Sequence, residues 1–365
     1  MPLDFDPPLL NSASLWATSY EDLKSLYFSK STGAVTTRTS LVGGFDHDPL
    51  IHQHCFVTPE DRSEFQDGPG ASAPFKSRSV TSLNTYGYSP YPLSLYLEWS
   101  AKIISESGDS SPTANLKPII ISVTGTSADI AQAYSDTAST LRQIHCQGHT
   151  RARLLLEVNL SCPNIANKPP PAYSASLLSE YLDAVRVAQS SPDMNSAWLA
   201  VPVGIKTPPY TYSTQFTELI SAMLASCSLC GIAPIDGTLR CPLSFITATN
   251  TLGSSLLLAP SRILHPSENS RSYDPMLASA SGTGIGGLAG NALHPLALGN
   301  VATIRRMLDE HVKLRDVEII GVGGINDSAG FERMRSAGAA AVGVGTALGS
   351  EGAGIFRMIL EKAGV

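Results

Sequence analysis

Several short stretches carry side chains whose types and spacing suit chemistry. VNLSCPN, Val158–Asn164, sets Cys162 between Asn159 and Asn164, with a proline directly behind the thiol. VPVGIK ends on Lys206, SFITATN on Asn250 with Thr251 beyond it, and GAVTT leads into Arg38. EIIGVGG and AAVGVG end in Gly323–Gly324 and Gly345, the latter followed by Thr346. A cysteine placed like Cys162 can be a core residue, a metal ligand or a reactive group held over a pocket. Lys206 closes an apolar run, and a buried ammonium without a partner costs several kcal/mol. It therefore needs a carboxylate such as Glu157, or an electron-rich oxygen or ring nitrogen of a cofactor. The glycine pairs either make tight turns or let backbone N–H groups approach an anion such as phosphate.

These residues need elements to hold them. Eight short apolar runs recur along the chain: Leu9–Ala13, Gly33–Thr37, Pro118–Thr124, Arg153–Leu160, Val201–Lys206, Ser244–Asn250, Glu318–Gly324 and Ala340–Gly345. Continuous apolar runs of this length suit parallel strands buried on both faces. Helical stripes fill the gaps, among them Ile130/Tyr134/Ala138/Leu141, Leu177/Leu178/Tyr181/Leu182/Val185, Phe216/Leu219/Ile220/Met223/Leu224 and Val301/Ile304/Met307/Leu308. The alternation predicts an α/β fold, a (β/α)₈ TIM barrel forming one domain over residues 1–365. Residues 41–82, 226–243 and 259–283 read as loop insertions. The polar residues named above then share one address, the C-terminal ends of the strands, where barrels place their sites. GTGIGG, Gly282–Gly287, adds a glycine-rich loop but lacks the spacing and preceding strand of a dinucleotide fingerprint.

Composition narrows the function. A net charge of −6 and a pI near 5.7 argue against nucleic-acid binding. No apolar run approaches the ~18 residues of a membrane span. The acidic, proline-rich start MPLDFDPPLL has neither signal-peptide nor transit-peptide character, and six cysteines in 365 residues do not make a disulfide scaffold, so a reducing, cytoplasmic setting is expected.

The motifs VNLSCPNIANKPPPAY, VPVGIKTPPY, TNTLGSSL, GTGIGGLAGNALHPLALGNV, IIGVGGI and GVGTALGSEGAGIF resemble those of the family-1A dihydroorotate dehydrogenases, as do PLLNSASLWATSYEDL and SLNTYGYSPYPLSLYLEW. The matches run in order from about Pro8 to the C-terminus. The resemblance implies a non-covalent FMN, dihydroorotate as substrate, fumarate as electron acceptor and a homodimer. It also implies roles. Cys162 would be the base at C5 of dihydroorotate. Asn84, Asn159, Asn164, Asn250 and Thr251 would bind the pyrimidine ring, and the backbone around Tyr86, Gly87 and Tyr88 its carboxylate. Lys206 would contact the flavin, with Ala13, Ser14, Thr39, Asn159 and Thr249 at further flavin positions and Gly287, Gly323, Gly324, Gly345 and Thr346 toward the phosphate. The chemistry agrees with these types. Oxidation removes a proton from C5 and a hydride from C6, so a base must face the ring opposite the flavin. A thiol of pKa about 8.5 suits work near neutral pH. Asparagine amides offer a uracil-like ring both donor and acceptor.

The chain departs from the family at several of these positions. Arg38 stands where the family has a lysine touching both flavin and substrate, and Tyr86 and Tyr88 stand where it has smaller apolar residues. Thr283 and Asn167 each replace a glycine. These changes leave room for a related dihydropyrimidine as substrate. His47, His52, His54 and Cys55 form a cluster without a standard zinc spacing, as do Cys227, Cys230 and Cys241, and no metal is expected.

Overall fold

The computed structural model describes residues 3–57, 80–108, 116–162, 170–190, 201–227, 241–260 and 273–363. Asn164, Asn167, Cys230 and the middle of each predicted insertion lie outside the described residues.

All eight predicted strands are present. In chain order the strands are β1 (Leu9–Asn11), β2 (Val35–Thr36), β3 (His54–Val57), β4 (Thr81–Asn84), β5 (Ile119–Val123), β6 (Leu154–Asn159) and β7 (Val203–Thr207), then β8 (Phe245–Ala248), β9 (Leu252–Ser255), β10 (Leu258–Pro260), β11 (Tyr273–Pro275), β12 (Gly286–Gly290), β13 (Glu318–Val322) and β14 (Ala341–Val344). The helices are α1 (Tyr20–Phe28), α2 (Leu93–Glu106), α3 (Ser127–Cys146), α4 (Ala175–Gln189), α5 (Ser213–Ser226), α6 (His294–Asp309), α7 (Ser328–Ser336), α8 (Thr346–Glu351) and α9 (Gly354–Ala363). Eight parallel strands pair in the order β1-β14-β13-β8-β7-β6-β5-β2, a (β/α)₈ barrel.

The alternation of side chains explains why these strands read as unbroken apolar runs. Ile119, Ile121, Leu154, Leu156 and Val158 face outward into the layer beneath the helices. Ile120, Leu155, Phe245 and Ile320 face inward and fill the barrel, floored by Leu3 and Phe5. A Cβ on Gly204 would lie 2.3 Å from the Phe245 ring, so the bare glycine makes room for the phenyl group. Outside, Ile130, Tyr134, Ala138 and Leu141 are buried on α3 as predicted, and capping boxes at Ser19 and Thr126 start α1 and α3. Leu177 departs from its predicted stripe: it is exposed near the start of α4, while Leu178, Tyr181, Leu182 and Val185 carry the buried face.

The ring closes between β1 and β2, where pairing is thinnest. A single bridge joins Leu10 to Ala34. Beside it the buried Asn11 side chain does the work of a backbone: its Nδ2 donates to the Thr36 carbonyl at 2.6 Å and its Oδ1 accepts from the Thr36 N–H at 2.9 Å. Asn11→Ala strands both Thr36 groups in the interior, and is expected to lower stability by about 2–4 kcal/mol. A fall in urea midpoint with unchanged slope checks this.

The insertions are more ordered than loops where they are described. β3, within the predicted insertion 41–82, and β4, which straddles its end, pair antiparallel with each other, and β12 joins β4 to β9, giving a four-stranded sheet in the order β3-β4-β12-β9. The glycine-rich loop expected at Gly282–Gly287 thus ends inside β12. The loop expected at 259–283 begins inside β10 and contains β11, which pairs antiparallel with β10.

Candidate active site

Between the C-terminal ends of the barrel strands and the four-stranded sheet lies a cleft with an empty space of about 1010 Å³, part of it open to solvent. Its wall includes Cys162, Lys206, Arg38, Asn84, Asn159 and Asn250. Of the residues predicted from sequence, Ala13, Ser14, Thr39, Tyr86, Gly87, Tyr88, Thr249, Thr251, Gly323, Gly324, Gly345 and Thr346 also line it. Gly287 does not: it sits within β12 beside the cleft, its carbonyl accepting from Asn84 Nδ2 at 3.2 Å, and Gly290, three residues on, reaches the wall instead.

Strand register builds the polar floor. Asn159 on β6, Lys206 on β7 and Thr247 on β8 are lateral neighbours. Lys206 is buried, and its Nζ donates to Ser12 Oγ at 3.0 Å. Glu157, the alternative partner, is committed elsewhere: its Oε1 accepts from Ser122 Oγ at 2.8 Å and its Oε2 from Thr247 Oγ1 at 2.5 Å. Among the described residues no carboxylate comes within ion-pair distance of Lys206. Burial pulls its pKa down, opposed by the negative charge of Glu157 and by Cys162.

The asparagines hold one another in place. Asn159 Nδ2 donates to Thr39 Oγ1 at 3.0 Å, while its Oδ1 accepts from the N–H and Oγ of Ser161. Asn250 Nδ2 donates to Ser161 Oγ at 2.9 Å and to Asn159 Oδ1 at 3.3 Å, and its Oδ1 accepts from the Thr251 N–H at 2.8 Å. Each amide is thereby fixed in orientation before any ligand arrives, with Asn250 Oδ1 keeping a second lone pair.

Arg38 is buried and takes a different posture from a point-charge lysine. Its Nη2 donates to the Tyr88 carbonyl at 3.0 Å, its Nη1 to Thr18 Oγ1 at 3.3 Å, and the guanidinium lies 5.3 Å from the centre of the Tyr86 ring. Tyr86 also stacks on His47 at 5.6 Å and meets His54, whose Nδ1 lies 3.3 Å from its hydroxyl. The histidines of the 47–54 cluster are thus part of the aromatic wall behind Tyr86. Among the described residues no group of three or more His, Cys, Asp or Glu is placed to hold a metal.

At the other end the glycine turns form a narrow recess that shares Gly290, Gly324, Gly345 and Thr346 with the cleft. Gly324 has φ +72°, and a Cβ there would meet His294 Cβ at 2.7 Å and the Gly290 carbonyl at 2.8 Å. Ser82 on β4 ties this end to the barrel through a 2.8 Å bond to Thr346 Oγ1.

Sequence reasoning missed Ser12, Trp16, His54 and Ser82, all in the wall. Ser12 carried a signal, being the residue after the end of the first strand. The others belong to a short helical turn and to the sheet over the barrel mouth, whose pairing no local pattern announces.

Fold and cleft together define an enzyme of the (β/α)₈-barrel class, with its site at the C-terminal ends of the strands. The chain belongs to the dihydroorotate dehydrogenase family, whose model matches residues 66–256 and 263–364. It is 25% identical to the putative dihydroorotate dehydrogenase A (fumarate) of Streptococcus uberis, over 98% of this chain and 89% of that one. It is 26% identical to the dihydroorotate dehydrogenase (fumarate) of Trypanosoma cruzi, over 98% and 88%. The crystal structure of a ligand-free dihydroorotate dehydrogenase from Eimeria tenella shares the fold, with a TM-score of 0.60 at 15% identity, covering 98% of this chain and 85% of that one. Among the described residues no helix is long and apolar enough to cross a membrane.

Proposed function

We propose that the cleft holds FMN and oxidises dihydroorotate to orotate, the pyrimidine-forming redox step. The observation that carries this reading is the meeting of Cys162 with Lys206, a buried ammonium without a carboxylate at ion-pair distance among the described residues, in one cleft. The lining fits a flavin on its own terms. Ser14 Oγ and Thr249 Oγ1 are buried without a partner among the described residues, so each has hydrogen-bonding capacity to give a ligand. With Lys206, Ala13, Thr39 and Asn159 they would hold the ring system, and Gly323, Gly324, Gly345 and Thr346 the phosphate. When bound there, FMN would supply a hydride acceptor for C6 of the substrate, and fumarate, the acceptor in the relatives' names, would take up the electrons.

The chain's own residues do the rest. Cys162, as thiolate, takes the C5 proton: the C–H bond breaks and an S–H bond forms. Asn84, Asn159, Asn250 and Thr251 orient the pyrimidine ring, joined by Asn164 on the resemblance alone. Arg38 and the backbone of Tyr86–Tyr88 receive the carboxylate. The proposal includes a cytoplasmic homodimer. Anaerobic addition of dihydroorotate to the yellow protein is expected to bleach the flavin, and dihydrouracil, which lacks the carboxylate, to leave it oxidised. Bleaching by dihydrouracil alone would assign the cleft to another dihydropyrimidine, and bleaching by neither would reject the oxidoreductase reading.

A further inference from the structure

The two departures at the mouth of the cleft, Arg38 and Tyr88, form one device. Tyr88, Thr124 and Cys162 line one small cavity together, and a charge on the Cys162 sulfur acts on the Tyr88 phenol. Its backbone carbonyl is gripped by Arg38 at 3.0 Å, and its ring meets Phe45 edge-on at 5.7 Å. The next residue is fixed as well, because the Ser89 N–H donates to the Thr39 carbonyl at 2.8 Å and the Phe45 N–H to the Ser89 carbonyl at 2.9 Å. Tyr88 is therefore braced at backbone and ring. Tyr88, Asn159 and Cys162 form the partition between the main cleft and a smaller cavity under Thr124, Gly125 and Tyr181.

We propose that Tyr88 is a positioning residue that donates a hydrogen bond to Cys162 and holds the sulfur as the thiolate, with Arg38 as the brace that aims it. Hydrogen bonding to the charged form favours that form. The proposal rests on Cys162 being the base. When the thiolate takes a proton from substrate carbon, the new S–H turns to the Tyr88 oxygen. The Tyr88 O–H then swings to Thr124 Oγ1, whose own O–H already donates to the Asn159 carbonyl at 2.8 Å. Only the carbon–hydrogen bond breaks, and the hydroxyls merely rotate. Two cations, Arg38 and Lys206, also face the sulfur and favour its charge, and Tyr181 is the further titratable group near Tyr88. Burial, with Cys162 next in weight, pushes the Tyr88 phenol well above its ordinary range, so it stays a neutral donor.

The test is the pH dependence of iodoacetamide alkylation at Cys162, followed on its own peptide by mass spectrometry in the FMN-loaded protein. Tyr88→Phe keeps the ring against Phe45 and removes only the hydroxyl. It is expected to move the alkylation midpoint toward alkaline pH, so that below the midpoint Cys162 reacts about tenfold more slowly. Tyr88→Leu should do the same, and Arg38→Lys should give a smaller shift in the same direction. A midpoint unmoved in folded Tyr88→Phe, or in Tyr88→Leu should the first not fold, would overturn the proposal. Because alkylation needs no substrate, failure of dihydroorotate to bleach the flavin would strike the proposed function and leave this result standing.

Discussion

Cys162→Ala is expected to bind FMN as the natural chain does and to be reduced by dihydroorotate about 10²–10⁴-fold more slowly, the usual weight of a positioned proton acceptor. The side chain is small and only half-buried, so its truncation opens little core, and the Lys206–Ser12 bond and the glycine turns that face the cofactor stay in place. Stopped-flow bleaching under anaerobic conditions gives the rate, and quenching of free FMN fluorescence gives the binding. Cys162→Ser sharpens the result. A hydroxyl is a far weaker acid than a thiol, so its rate should start lower and continue to climb with pH beyond the point where the natural enzyme levels off. An alanine variant that bleaches at the natural rate would remove Cys162 from the chemistry.

Lys206→Met is expected to act in opposite directions on the empty and loaded protein. Methionine has nearly the same reach but no charge, so the empty barrel loses a buried ammonium with no carboxylate partner and its melting temperature should rise by a few degrees. The same change removes a charged donor to the flavin, and FMN affinity should fall about 10–100-fold. The pH dependence follows in sign. The folded-state pKa of Lys206 is depressed below its ordinary 10.5, so the folded chain binds fewer protons than the unfolded one between those two values. The burial penalty is complete below the depressed pKa and is relieved as pH rises toward 10.5, so this part of the stability grows with pH. Lys206→Met should abolish that component. Differential scanning fluorimetry of the empty protein across the window reads it, and identical slopes in both proteins would show that Lys206 finds a compensating charge.

What was legible in the sequence follows from which surfaces are buried. Strands such as Ile119–Val123 are covered inside and out, so nearly every position is apolar and the run stands out from its surroundings. The sheet over the mouth offers no such signal. Leu252–Ser255 and Gly286–Gly290 are short, partly exposed and rich in glycine or serine, and β12 pairs with β4, some 203 residues away in sequence at the Asn84–Gly287 bond. For the same reason Gly290 was not singled out: it reaches the cleft wall as the last residue of β12, and Gly287 stands in the same strand beside Thr251 and Asn84. At the site, strand ends located Cys162, Lys206 and Asn250 by position alone. The sequence left Lys206 with two partners to choose between. The fold adds what the sequence could not: Ser122 and Thr247 take the Glu157 oxygens, and Glu157 reaches Lys206 only as a nearby charge.

The thin closure of the barrel has a consequence for ligand binding. Ala13 and Ser14 lie just past one lip of that closure and Arg38 and Thr39 just past the other, and all four face the cleft. A molecule gripped by both lips acts as a clasp across the weakest joint of the ring, so its binding free energy is added to the local opening of that joint as well as to global unfolding. Amide exchange at Ala34–Thr36 should therefore report occupancy of the cleft, even though none of those residues lines it.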